Sequence, residues 1–303
     1  MQLNYCYIHD LNLRSFMLSR FLQGGKFWII VSVLVIVSGI IFLSKEVDKS
    51  ILLIDYVTVE KIEDIRPVTD SLVAPVLYSH IQLLDALDTE KRKDKFIDVI
   101  LPTVLIYRYQ LSQRKDKVEL LQEKTRYTQQ WTSEDSSFIE DQFNKYKTKN
   151  FEELMKRMEP HPISLTLAQA AIESGWGSSR FFKEGNNIFG IWSFSKSDQR
   201  MVASQSREGK NIYLKSYDTL LGSVEDYHLI LARGNHYQEF RECIHRSNNV
   251  FELIWYLRLY SEKRDGYVIM LRNLIAANNL VQYDNYRLDP NFFSYPSDED
   301  AIL

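Results

Sequence analysis

AQAAIESGWGSSRFFKEGNNIFGIW, residues 168–192, holds a short helix, a sharp stop and an apolar turn in one run. Stepped at about 100° per residue from Leu165, Leu165, Leu167, Ala168, Ala171 and Ile172 gather on one side of the helix. Thr166, Gln169, Ala170 and Glu173 gather on the other. The pattern predicts a helix over residues 163–174 with one core face and one polar or small face able to line a cleft. Gly175 is a natural stop for it. Glu173 therefore sits at the negative end of the helix dipole, where an ionised carboxylate is disfavoured. Trp176 and the apolar run Ile188–Trp192 could desolvate it further. Both effects push a carboxyl upward, as a general acid working near neutrality requires. A glutamate at a helix end is ordinarily a solvated surface charge, so the argument rests on this one's setting.

Working outward, residues 136–157 read as a helix closed by Glu159-Pro160-His161-Pro162. Met201-Val202-Ala203 and Ile212-Tyr213-Leu214 alternate like strands around the turn-forming Ser206–Lys210, which predicts a hairpin. Asp218 can cap a helix reaching Arg233, and further helices fit residues 237–246, 251–263 and 265–280. His228 and His236 read as plain helix-face residues. The six histidines show no zinc-ligand spacing, and no nucleophile elbow or phosphate-binding loop occurs. No metal and no cofactor is expected.

Glu173-Ser174-Gly175-Trp176-Gly177 followed by Asn186-Asn187-Ile188-Phe189-Gly190-Ile191 resembles the glucosaminidase family of peptidoglycan hydrolases, glycoside hydrolases with a lysozyme-like fold. Tyr217-Asp218, Ser223–Tyr227, Tyr260-Ser261-Glu262, Tyr267-Val268 and Asn278-Asn279-Leu280 extend the resemblance over residues 140–282. Lys93–Leu120, with Phe96, Leu101-Pro102 and Arg114, is similar to a Bax-type branch of the family. The resemblance implies a mainly α (α+β) fold with a small β-hairpin lobe, and cleavage of the β-1,4 bond after N-acetylglucosamine in the glycan strand. It gives Glu173 the part of proton donor and puts Tyr260 in the cleft. Asn187, Phe189, Trp192 and Tyr267 become substrate-binding residues. Two-carboxylate hydrolysis needs a second acid. The hairpin region offers Asp198 and Glu208, of which Glu208 is preferred, and the substrate's own acetamido group is a further route. A lytic transglycosylase of the same fold and a non-catalytic wall-binding scaffold stay open as alternatives.

The N-terminal part is different. Residues 27–43, FWIIVSVLVIVSGIIFL, carry no charge and predict one transmembrane helix at residues 27–44. The run is long for a signal peptide and lacks a small-residue cleavage site after it. Basic Arg14, Arg20 and Lys26 before it, against an acidic excess after it, keep residues 1–26 cytoplasmic. The rest would face the periplasm or cell wall, anchored to the inner membrane. Cys6 and Cys243 then cannot pair, and Cys243 reads as a buried thiol. Residues 45–135 read as a helical stalk whose pattern sharpens from Glu90, with Phe96, Val99, Leu101, Val104 and Leu105 mostly on one face and Pro102 bending it. Residues 136–282 form the catalytic part, and residues 283–303 an irregular acidic tail.

Composition fits this outline. The 303 residues carry 37 Lys+Arg against 40 Asp+Glu, which excludes the basic excess of a dedicated nucleic-acid binder. With 45% hydrophobic and 25% charged residues the chain is not intrinsically disordered.

Overall fold

The computed structural model describes residues 50–127, 129–207 and 210–295. The predicted membrane helix at 27–44 and the short segment before it lie outside these residues. Among the described residues no helix is long and apolar enough to cross a membrane.

The molecule is mostly helical, with four two-stranded sheets among the described residues. The helices are α1 (Thr89–Arg126), α2 (Ser133–Tyr146), α3 (Phe151–Arg157), α4 (Ile163–Ser174), α5 (Arg180–Gly185), α6 (Leu220–Arg233), α7 (Gln238–Arg246), α8 (Val250–Leu253) and α9 (Asp265–Ala277). The mainly α fold with a small hairpin follows the sequence expectation.

The stalk does not exist as a separate element. Residues from Ser50 onward form one unit, so the expected boundary near residue 135 divides nothing. α1 is the central helix and packs on α4 and α6. Phe96 through Tyr107 are buried without a gap. A helix apolar all round belongs inside a protein, whereas the stalk reading gave this one a single packed face. α1 runs unbroken through Pro102, which cannot donate to the Asp98 carbonyl, and Thr103 bonds its hydroxyl to the Val99 carbonyl at 3.2 Å.

The segment before α1, expected to be helical, supplies strands instead. β2 (Asp55–Thr58) pairs in parallel with β4 (Val76–Ser79). The tail is no more irregular than this lobe. β7 (Arg287–Leu288) pairs with β3 (Leu72–Val73), and β8 (Phe293–Ser294) pairs with β1 (Ile51–Leu52). The two ends of the described chain are thus stitched together beside the central helix.

Local chemistry sets the remaining boundaries. The helix expected over residues 136–157 is two, because Lys147 turns left-handed at φ 52° and Asn150 caps α3 through the Glu153 N–H at 2.9 Å. Thr219, not Asp218, caps α6. The helix expected over residues 251–263 shortens to α8 and a 3-10 turn at Ile254–Leu257. The predicted hairpin is present as β5 (Arg200–Arg207) and β6 (Lys210–Lys215), with a register shift between Val202 and Ser206. Cys243 is a buried thiol, as expected. His228 departs from its helix-face reading: it is buried and stacked on His161 at 4.5 Å, and burial pushes it down to about 4.

Candidate active site

α4 is set in place at both ends. Its N-cap is Pro162, which has no side-chain acceptor to offer. Asp284 supplies one instead, accepting from the Ser164 N–H at 2.8 Å and from the Ser164 hydroxyl at 2.7 Å. At the other end Gly175 adopts φ 59°, a left-handed conformation that suits glycine, and its N–H bonds the Ala171 carbonyl. Trp176 and Gly177 follow with φ 57° and 78°, so three successive residues are left-handed. A Cβ at Gly177 would meet Leu84 at 2.7 Å and Phe96 at 3.2 Å, which ties this loop to α1. Buried Ser174 pins the turn by donating to the Ala170 carbonyl at 2.6 Å and accepting the Gly177 N–H at 3.0 Å.

Glu173 is held part-buried in the last turn of α4. Tyr267, on α9, donates its hydroxyl to Glu173 Oε1 at 3.0 Å. Burial raises the carboxyl above its ordinary value, while the Tyr267 hydrogen bond and the positive charge of Lys263 pull it back in part. Trp176 packs its ring edge-on against Phe96 at 5.6 Å, behind the acid. Tyr260 stacks on Tyr267 with centroids 5.5 Å apart and planes 18° apart, and it stays half-exposed. Burial pushes both phenols up, so each is a neutral hydroxyl near neutral pH.

The polar face of α4 does not line a cleft along its whole length. Thr166, Gln169 and Ala170 are buried. Gln169 Nε2 donates to Tyr267 Oη at 2.9 Å, and Tyr227 on α6 donates to Gln169 Oε1 at 2.6 Å. The sequence reading missed Gln169 and Tyr227 as site residues. The available signal was the four-residue spacing from Gln169 to Glu173, which puts both on one face.

Two expected substrate-binding residues are corrected. Asn187 is 1% exposed, and its amide bonds the Ile191 carbonyl at 3.0 Å, the Lys215 carbonyl at 2.8 Å and the Ile191 N–H at 2.9 Å. An amide with every group engaged clamps its own loop and has nothing left to offer a ligand. Phe189 is 3% exposed and lies flat on Tyr227, centroids 4.0 Å apart. Tyr267 is also buried and reaches the site through Glu173, with no open face for a sugar.

Trp192 is 41% exposed, bridges to Leu214 of the hairpin and leans toward Phe194, itself 87% exposed. These two rings offer apolar faces to solvent beside the hairpin. Asp198 accepts from the Ser193 hydroxyl at 2.9 Å. Glu208 lies outside the described residues. What the arrangement provides chemically is one carboxyl with a raised proton affinity, gripped by a neutral phenol and flanked by a second phenol.

Residues 148–280 match the profile of the Glucosaminidase family, described as mannosyl-glycoprotein endo-beta-N-acetylglucosaminidase. Protein bax of Escherichia coli K12 is 26% identical over 108 residues, covering 33% of this chain and 38% of that protein. Exo-glucosaminidase LytG of Bacillus subtilis 168 is 32% identical over 76 residues, covering 23% of this chain and 27% of that protein. The chain thus spans only about a third of the length of these two relatives. Among solved structures, the catalytic domain of the Listeria monocytogenes autolysin Auto aligns at 23% identity and a TM-score of 0.34, covering 55% of this chain and 96% of that one. A peptidoglycan hydrolase from Sphingomonas sp. A1 aligns at 20% identity and a TM-score of 0.35, covering 46% and 87%.

Proposed function

Residues 148–280 belong to the glucosaminidase family, and from that premise we propose that the chain is a peptidoglycan hydrolase of the endo-N-acetylglucosaminidase type, cleaving the β-1,4 bond after N-acetylglucosamine with Glu173 as general acid. The observation that carries this reading is the state of Glu173: burial raises its carboxyl while Tyr267 holds one of its oxygens at 3.0 Å. A carboxyl kept partly protonated near neutrality can hand its proton to the departing glycosidic oxygen as the bond to the anomeric carbon breaks. Tyr260, neutral and stacked on Tyr267, stands beside the reacting sugar. Trp192 carries sugar C–H faces on its exposed ring.

The second group in the reaction is Glu208 on the hairpin or the substrate's own acetamido oxygen, with Asp198 third because its carboxylate is engaged by Ser193. Residues 27–44 tether the enzyme to the inner membrane and residues 1–26 stay cytoplasmic, so that the catalytic part faces the wall. The uncharged composition of residues 27–43 and the basic flank before them support that part of the reading.

Purified peptidoglycan incubated with the native chain and with Glu173→Gln tests the proposal. Solubilisation by the native chain alone, with products ending in reducing N-acetylglucosamine by mass spectrometry, supports it. Anhydro-muramic ends would identify a lytic transglycosylase instead. Binding without release by either protein would identify a wall-binding scaffold.

A further inference from the structure

Tyr227, Gln169, Tyr267 and Glu173 form one hydrogen-bonded line across α6, α4 and α9, with steps of 2.6, 2.9 and 3.0 Å. Every donor in it has a single target. The Tyr227 hydroxyl holds the oxygen end of the Gln169 amide, so the nitrogen end faces Tyr267. An amide nitrogen only donates, so Tyr267 Oη must accept from it, and the one proton Tyr267 owns must go elsewhere. The partner on its other side is Glu173 Oε1.

We propose that Gln169 is a positioning residue: by occupying a lone pair of Tyr267 Oη it turns that hydroxyl's proton onto Glu173 Oε1, which leaves Oε2 as the oxygen that carries the transferable proton. A free carboxylic acid can hold its proton on either oxygen and on either edge. Here one oxygen is committed as an acceptor, so the acid is loaded in one geometry before substrate arrives. Gln169 and Tyr267 are 0% and 1% exposed, and Tyr227 is 1% exposed, so no solvent proton competes along the line. A hydrophobic residue of the same length would pack α4 equally well but would free the Tyr267 hydroxyl to point either way. This inference rests on Glu173 being the general acid, and the test keeps the two apart.

The test uses the full chain as native protein and as Gln169→Met, Tyr267→Phe, the double variant and Glu173→Gln. Initial rates of peptidoglycan solubilisation are followed against pH, and kcat and KM are measured on a soluble glycan fragment. A general acid works while protonated, so the rate falls as pH rises through its pKa. The Tyr267 donation favours the carboxylate, and weakening it moves that alkaline limb to higher pH. Gln169→Met is expected to lower kcat roughly tenfold to a hundredfold with KM nearly unchanged, and to shift the alkaline limb upward. Tyr267→Phe should shift it in the same sense, and the double variant should go no further than Tyr267→Phe alone. A native limb in Gln169→Met, with losses that multiply in the double variant, overturns the proposal and leaves Gln169 a packing residue. Activity surviving in Glu173→Gln overturns the function itself, whatever Gln169 does. If Gln169→Met loses its cooperative thermal transition, Tyr227→Phe decides the matter. It frees the amide to turn its oxygen toward Tyr267, so an upward shift supports the relay and a native limb refutes it.

Discussion

Asp284 reaches back 120 residues to accept both the backbone N–H and the hydroxyl of Ser164, at 2.8 and 2.7 Å. The helix it caps is the one that carries Glu173, and the residue in the capping position, Pro162, cannot do the work itself. A negative charge at a helix N-terminus also meets the positive end of the helix dipole. Asp284→Ala should therefore lower stability by about 1–2 kcal/mol, read from chemical denaturation. Ser164→Ala, which leaves the backbone N–H bond intact, should cost less than Asp284→Ala. Equal losses in the two variants would show that the hydroxyl contact dominates and the cap does not.

Glu173 is raised by burial, so the folded chain binds a proton more tightly there than the unfolded chain does. The sign follows directly. The folded state holds more protons than the unfolded state in the interval between the two values, and stability falls as pH rises through that interval. Above it, the ionised carboxylate is a standing penalty. Glu173→Gln should be at least as stable as the native chain at neutral pH while losing hydrolysis, and its advantage should vanish in acid, below the ordinary glutamate range. Thermal midpoints of both proteins across pH check this. A native chain more stable than the variant at pH 7 would contradict it.

Asn187, Phe189 and Trp192 separate by role. Asn187→Ala leaves buried backbone groups of Ile191 and Lys215 without partners, at a cost of about 1–3 kcal/mol. Phe189→Ala removes a ring lying flat on Tyr227, at about 3–5 kcal/mol. Both should lower the unfolding midpoint. Trp192→Ala, at a half-exposed position, should leave stability within about 1 kcal/mol and raise KM for glycan fragments. If Phe189→Ala raised KM at native stability, the ring would be a sugar platform after all.

The acid helix was legible because its signals are local: periodicity, a terminal glycine and a glutamate between them. So was the hairpin, whose alternation and turn residues sit side by side. What could not be read was anything set by distant partners. Asn187 has the look of a ligand-binding amide until Lys215 and Ile191 are placed around it. The pairing of β7 with β3 joins residues more than 200 positions apart, and Leu288 and Val73 carry no mark of it in sequence. Phe189 shows the same limit: an aromatic beside a catalytic loop is apolar whether it faces sugar or Tyr227.

α1 provides the sharpest test of that limit, since the sequence placed it outside the catalytic part. Phe96, Ile100, Leu101, Ile106 and Leu111 are each less than 2% exposed. At about 1.5–3 kcal/mol for a fully buried apolar side chain, these five correspond to roughly 7–15 kcal/mol. The whole net stability of an ordinary domain is about 5–15 kcal/mol. A chain beginning at residue 133 would also expose the apolar faces of α4 and α6 that rest on α1. It should show no cooperative thermal transition, bind hydrophobic dye and release nothing from peptidoglycan. A chain beginning at Ser50 should melt cooperatively and keep the hydrolysis. If the shorter chain folded and worked, α1 would be an accessory after all, and the packing around Phe96 would be dispensable.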